Sequence, residues 1–168
     1  MNGLQTNYIN AGSVFVPGRA SAIRTVVTFG VVVTVFHAKK RKGGLAHFIF
    51  PKRSTQGDSN ALYCAPALVT LIKSFKDLGP VSELEVHLIG GAHYRGAQNV
   101  IRKCASENIE VAKEVLALLG VRHYEQDLGG KRARRMMFNT FTGELAVARV
   151  DQVRREDWAF IPGQAITR

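Results

Sequence analysis

Apolar and polar residues recur at two different periods along this chain, and the switches between them divide it into strands and helices. The strongest stretch is Ile23 to Pro51. Val31 to Phe36 is apolar on both alternating faces and rich in β-branched residues, which predicts a strand buried on both sides. Leu45 to Phe50 predicts its partner, stopped by Pro51, which has no N–H to give a ladder. The polar turn Lys39 to Gly44 joins them, with Gly43 and Gly44 available for the left-handed backbone that hairpins use. Upstream, residues to about Asn10 read as a loose tail, and Gly12 to Val16 as a short strand closed by Pro17-Gly18.

Downstream the period lengthens. Ala61, Ala65, Leu68, Ile72 and Phe75 share one face of a predicted helix over Ala61 to Leu78. Asp58, Ser59 or Asn60 can cap it, Pro66 is tolerable only near its first turn, and Gly79-Pro80 ends it. Glu83 to Ile89 alternates as a strand, with Leu84, Val86 and Leu88 inward. A second helix is predicted from Ser106 to Leu119, on Ile109, Ala112, Leu116 and Leu119, with Ser106 as cap and Gly120 as stop. Val121 to Gln126 follows as a strand, then a hairpin of Arg135 to Phe138 with Glu144 to Val150. The count of about seven strands and two long helices makes the class α+β. Lys52 to Asn60 is a polar loop, either a lid beside His47 or an ordinary connector. The tail from Asp151 has no period, and its Trp158 and Phe160 are free to dock on the body or a partner.

At 168 residues, with 46% hydrophobic content, the chain suits one domain spanning 1–168, with its core at about 8–150. No apolar run is long enough to span a bilayer, and the N-terminus lacks the features of a signal peptide, so no membrane insertion and a cytoplasmic location are expected. Cys64 and Cys104 form neither a disulfide framework nor a metal-ligand spacing, and no metal is expected. The formal charge of +10 favours acidic partners, but no nucleic-acid recognition motif accompanies it, and solvated turns account for the cations.

Ile23-Arg24-Thr25, Gly43-Gly44-Leu45-Ala46-His47-Phe48 with Pro51, the Gly90-Gly91-Ala92 turn, Asn108 with Glu110, and Asp127-Leu128-Gly129-Gly130 with Arg134 together resemble the CheD family of chemoreceptor glutamine deamidases. The resemblance runs from about Tyr8 to Val150. It implies layered mixed β-sheets flanked by helices, of the cysteine-hydrolase kind shared with cytotoxic necrotizing factors. It implies no cofactor. The partners it implies are the cytoplasmic part of chemoreceptors and a CheC-type phosphatase.

Deamidation of a glutamine side chain is an acyl transfer. A thiolate attacks the carboxamide carbon, an imidazole moves the protons, a third group orients the imidazole, and backbone N–H groups hold the oxyanion. By the resemblance, His47 matches the base and Thr25 the orienting residue. Aligned without gaps from His47, the family's L-G-S-C falls on Val27-Thr28-Phe29-Gly30, so Gly30 occupies the nucleophile position. Thr28, Phe29, Gly90 and Gly91 then stand at the substrate cleft. Glycine cannot form a thioester. Three explanations follow: a relative that has lost catalysis and kept binding, a nucleophile moved to Cys64 or Cys104, or an introduced change. The joint departure of Thr28, Phe29 and Gly30 favours the first. Thr25, Gly30 and His47 are expected in one cleft, with neither cysteine near His47 and with room for a thiol at position 30.

Overall fold

A computed structural model describes residues 4–52 and 60–153. Nine strands and two α-helices lie among them. Two sheets form. One is four-stranded, in the order β1 (Gln5–Tyr8), β3 (Ser21–Val27), β8 (Ala133–Asn139), β9 (Leu145–Val150). The other is five-stranded, in the order β2 (Ser13–Phe15), β5 (Lys42–Phe48), β4 (Val31–His37), β6 (Leu84–Gly90), β7 (Glu125–Leu128).

The central strand explains the layering. Every residue of β4 is buried. Val31, Val33 and Val35 pack into one core with α1 (Cys64–Lys73) and α2 (Asn99–Leu118). Val32 and Phe36 point the other way, into a second core with Ile23, Val27, Met136 and Phe138 of the four-stranded sheet. Strand periodicity divides the side chains between two interfaces. The result is three layers, helices on sheet on sheet, and it agrees with the α+β class.

Several local expectations are corrected. The N-terminal stretch read as a loose tail contains β1, which pairs parallel with β3. Its side chains are mostly exposed, so no apolar period marks it. In the β4–β5 turn the left-handed residue is Arg41, at φ 48°, not a glycine. Gly43 and Gly44 lie in β5 because neighbours crowd them: a Cβ on Gly43 would stand 2.9 Å from the Phe138 ring, and one on Gly44 2.6 Å from Val16 Cγ2.

Helix α1 starts at Cys64, with Tyr63 at the N-cap and no side-chain cap. Asn60 instead accepts the Leu62 N–H at 3.0 Å, just ahead of the helix. Ala65 is exposed, and Cys64 and Ala67 take the buried face. Helix α2 begins at Asn99, seven residues before Ser106, because its first turns run over solvent and carry no apolar stripe. Ser106 does not cap it; its hydroxyl donates to the Arg102 carbonyl. Gly120, at φ 84°, supplies the expected stop. Strand β7 begins at Glu125 rather than Val121. Most of the Lys52 to Asn60 loop, the capping candidates Asp58 and Ser59, and Trp158 with Phe160 lie outside the described residues.

Candidate functional site

Thr25 and His47 meet in the interface between the two sheets. Thr25 lies between Ile23 and Val27 on the inward face of β3, and His47 follows Leu45 on the inward face of β5. The Thr25 hydroxyl stands 3.2 Å from His47 Nδ1 and 2.6 Å from the Ile9 carbonyl oxygen. A hydroxyl has one proton, and a carbonyl can only accept. Thr25 therefore donates to Ile9, and His47 Nδ1–H donates to Thr25. That tautomer leaves Nε2 with its lone pair, the arrangement an imidazole needs to take a proton or accept a hydrogen bond.

The surroundings weaken it as a base. His47 is only 4% exposed, and burial pushes its pKa down to about 4. It is neutral at pH 7 and holds an added proton poorly. A general base works best with a pKa near the operating pH.

Gly30 does not touch this pair in any described hydrogen bond. It lies two residues before Val32, the cross-strand partner of His47. A Cβ built on Gly30 would stand 2.8 Å from Ile49 Cγ2 and, closer still, against the Phe48 carbonyl oxygen. It would point at the backbone at the end of the neighbouring strand β5. The expected room for a thiol at position 30 is absent in this loop conformation.

The loop is held on three carbonyls. Ala92 N–H donates to Thr28 O at 2.8 Å, Gly91 N–H to Gly30 O at 2.7 Å, and Asn108 Nδ2 to Phe29 O at 3.0 Å. Gly90 and Gly91 are needed for this closure: a Cβ on Gly90 would collide with Gly30 O, and one on Gly91 would stand 2.5 Å from Ile109. These glycines pack against the loop rather than line an open wall. Thr28 and Phe29 are half-buried.

Asn108 is the residue that sequence reasoning left without a role. Fully buried on α2, it also donates to the Ile49 carbonyl at 2.9 Å and so clamps the loop to the end of β5. Its signal in the sequence is a polar side chain at helical spacing with buried Ala105, Val111 and Ala112. The Ile9 carbonyl had no signal, because a backbone acceptor is the same in every residue.

Neither cysteine bonds to His47 among the described contacts. Cys64 belongs to the helix-side core, on the opposite face of β5. Cys104, on α2, donates to the Ile49 carbonyl at 3.4 Å. Burial, with the Glu114 charge adding to it, pushes the Cys64 thiol up to about 12, and burial also raises Cys104. Among the described residues no cluster of His, Cys, Asp and Glu is arranged to hold a metal, and no helix is long and apolar enough to cross a membrane.

A second polar centre ties the sheets together. Arg134 is 3% exposed and donates to Asp127 Oδ1 at 2.8 Å and to the Gly129 and Arg132 carbonyls. Arg149 reaches the same carboxylate oxygen at 2.7 Å. The hydrogen bond from Arg134, reinforced by Arg149, holds the Asp127 carboxyl below its ordinary pKa.

Comparison with known proteins agrees with this fold. A family model described as CheD chemotactic sensory transduction matches residues 49–149, the part that follows the β4–β5 hairpin. A protein of Thermococcus kodakarensis named probable chemoreceptor glutamine deamidase CheD is 33% identical, over 71% of this chain and 77% of its own length. The chemoreceptor glutamine deamidase CheD of Thermotoga maritima is 30% identical, over 74% and 82%. A probable chemoreceptor glutamine deamidase CheD of Maridesulfovibrio salexigens is 28% identical over a longer span, 86% and 92%. With three layers, a Thr-held histidine between the sheets and matches over most of its length, this chain belongs to the CheD family.

Proposed function

We propose that this chain is a cytoplasmic CheD-type protein that recognises glutamine side chains of chemoreceptors at Thr25 and His47, with the deamidation step impaired. The relatives' names supply the substrate class. The observation that carries the reading is the pairing of a Thr-held imidazole with a position 30 that has no space for a side chain.

Turnover needs a bond from a nucleophile to the carboxamide carbon and loss of ammonia. Neither thiol reaches His47 among the described contacts, and both carry raised pKa values, so the thiolate population at pH 7 is small. Recognition asks for less. A neutral imidazole with Nε2 unprotonated accepts a hydrogen bond from the amide N–H of glutamine, which glutamate cannot offer. Thr25 fixes the tautomer, and Thr28, Phe29, Gly90 and Gly91 shape the loop beside it. The alternative is a binding module without turnover, whose partner is a chemoreceptor or a CheC-type phosphatase.

The test is a pair of receptor-derived peptides differing only in glutamine or glutamate, measured by calorimetry for binding and by mass spectrometry for conversion. The expected result is preference for glutamine, weakened by Thr25→Val and His47→Ala, with no mass change of the peptide. Conversion at a rate proportional to protein would overturn the impairment, and its loss in Cys64→Ala/Cys104→Ala would put the nucleophile on one of those thiols. Equal affinity for the two peptides would overturn the recognition.

A further inference from the structure

The β4–β5 turn, far along the hairpin from His47, borders an open hollow of about 240 Å³. Arg19 from the β2–β3 connection and Lys40, Arg41 and Lys42 from the turn line it, with Pro17 and Phe141 beside them. No acidic side chain lines it. The nearby Lys39 is spoken for, because its ammonium pairs with Glu83 at 2.8 Å.

The turn is held in place. Arg41 is the one non-glycine residue with positive φ among the described residues, and its N–H donates to the Ala38 carbonyl at 3.1 Å. Its guanidinium lies 3.7 Å from the centroid of the Phe141 ring, on a hairpin of the other sheet. A left-handed conformation in a bulky residue costs energy and persists where the surroundings enforce it. Here the enforced conformation presents cations from two connections to one hollow.

We propose that this hollow is a docking site for a carboxylate-rich segment of a protein partner, separate from the Thr25–His47 site and independent of its chemistry. Arginine and lysine donors suit carboxylates, and arginine can engage one with two parallel hydrogen bonds. The apolar flank of Pro17 and Phe141 suits the methylenes of a glutamate. The same geometry disfavours nucleic acid. Sequence-tolerant strand binding relies on successive bases stacking on several aromatic rings, and the single ring at this hollow already has one face taken by Arg41. The hollow takes one or two side chains, not the repeating backbone of a strand.

The test uses the full chain and a fluorescent glutamate-rich peptide, with binding read by anisotropy at low salt. Lys40→Gln/Lys42→Gln is compared with Lys73→Gln/Lys76→Gln, an equal loss of charge on the exposed side of α1 and the turn after it. The first pair is expected to weaken binding about tenfold or more and the second less than about twofold, with affinity falling as salt rises. Arg41→Gly gives a second reading, because glycine accepts the left-handed backbone while losing the cation. It is expected to fold normally and bind more weakly. Equal losses from the two pairs would reduce the effect to net charge and overturn the proposal. So would displacement of the peptide by millimolar inorganic phosphate. Tighter binding of a single-stranded oligonucleotide through the same lysines would overturn it as well.

Discussion

His47 donates its Nδ1 proton to Thr25, and Thr25 in turn donates to the backbone of Ile9. The chain of bonds links β5 to β3 and to the segment after β1, so a residue outside any regular strand sets the tautomer of a buried imidazole.

That imidazole makes stability depend on pH. The folded pKa is lowered to about 4 by burial, while the unfolded chain takes up a proton near the ordinary value of about 6.5. Between those values the unfolded state binds more protons, so stability rises with pH across the window and falls as pH drops toward 4. The size is on the order of 3 kcal/mol, from about 1.4 kcal/mol per unit. Denaturant titrations at several pH values should show this slope in the wild type and a much flatter one in His47→Gln. An equal slope in both would place the titration elsewhere.

Asn108 should matter for folding more than its polarity suggests. Its amide satisfies the carbonyls of Phe29 and Ile49. Removing one partner from a buried hydrogen bond costs about 1–3 kcal/mol. Asn108→Ala is therefore expected to lose at least that much in urea unfolding, with faster amide exchange around residues 28–30. Asn108→Asp keeps the shape but loses both donors, and should be no better. Wild-type stability in either variant would mean that water replaces the clamp.

The layering was legible where one strand had to face two cores. Val31 to Phe36 announces burial on both sides, and β4 is the strand shared by both interfaces. What the sequence hid was structure without an apolar stripe: β1, whose residues are mostly exposed, and the first turns of α2. At the site, Thr25 and His47 stand out through the family pattern. The crowding at Gly30 does not, because it comes from backbone atoms of Phe48 and Ile49 that a linear reading cannot place. Asn108 entered only through the family pattern: its place on the buried face of α2 became visible with the fold, and its two acceptors are carbonyls that carry no residue signature.

Asp127 offers an internal comparison. Arg134 and Arg149 both reach the same carboxylate, but Arg134 is buried and Arg149 is 59% exposed. Breaking a buried pair strands a charge and costs about 3–5 kcal/mol, whereas solvent screens an exposed pair and leaves it contributing little. Asp127→Ala should therefore destabilise strongly and Arg149→Ala hardly at all, as read by thermal and urea unfolding. Similar losses would show that Arg149 does more than the surface geometry indicates.

The sharpest test is Gly30→Cys. If position 30 is the nucleophile position, as the family resemblance implies, a cysteine there would restore a thiol beside His47. The structure argues otherwise. The Cβ would meet the Phe48 carbonyl, whose strand is fixed by the pairing of Val31 with Phe48, and the Ile49 side chain lies 2.8 Å away on the same path. Retreat is blocked as well, because Gly30 O accepts the Gly91 N–H at 2.7 Å and is packed under Gly90. Overpacking of this kind costs about 1–3 kcal/mol. Gly30→Ala should lose about as much, since the clash begins at Cβ. Any thiol in Gly30→Cys should alkylate no faster near neutral pH than an ordinary cysteine, because a histidine with a pKa of about 4 draws its proton weakly. Adding Thr28→Gly and Phe29→Ser loosens the loop and gives position 30 another path. A gain in thiol reactivity is expected only in that triple variant. Native stability together with a fast-reacting thiol in the single variant would show that the loop rebuilds itself around the sulfur and that the catalytic arrangement lies one substitution away.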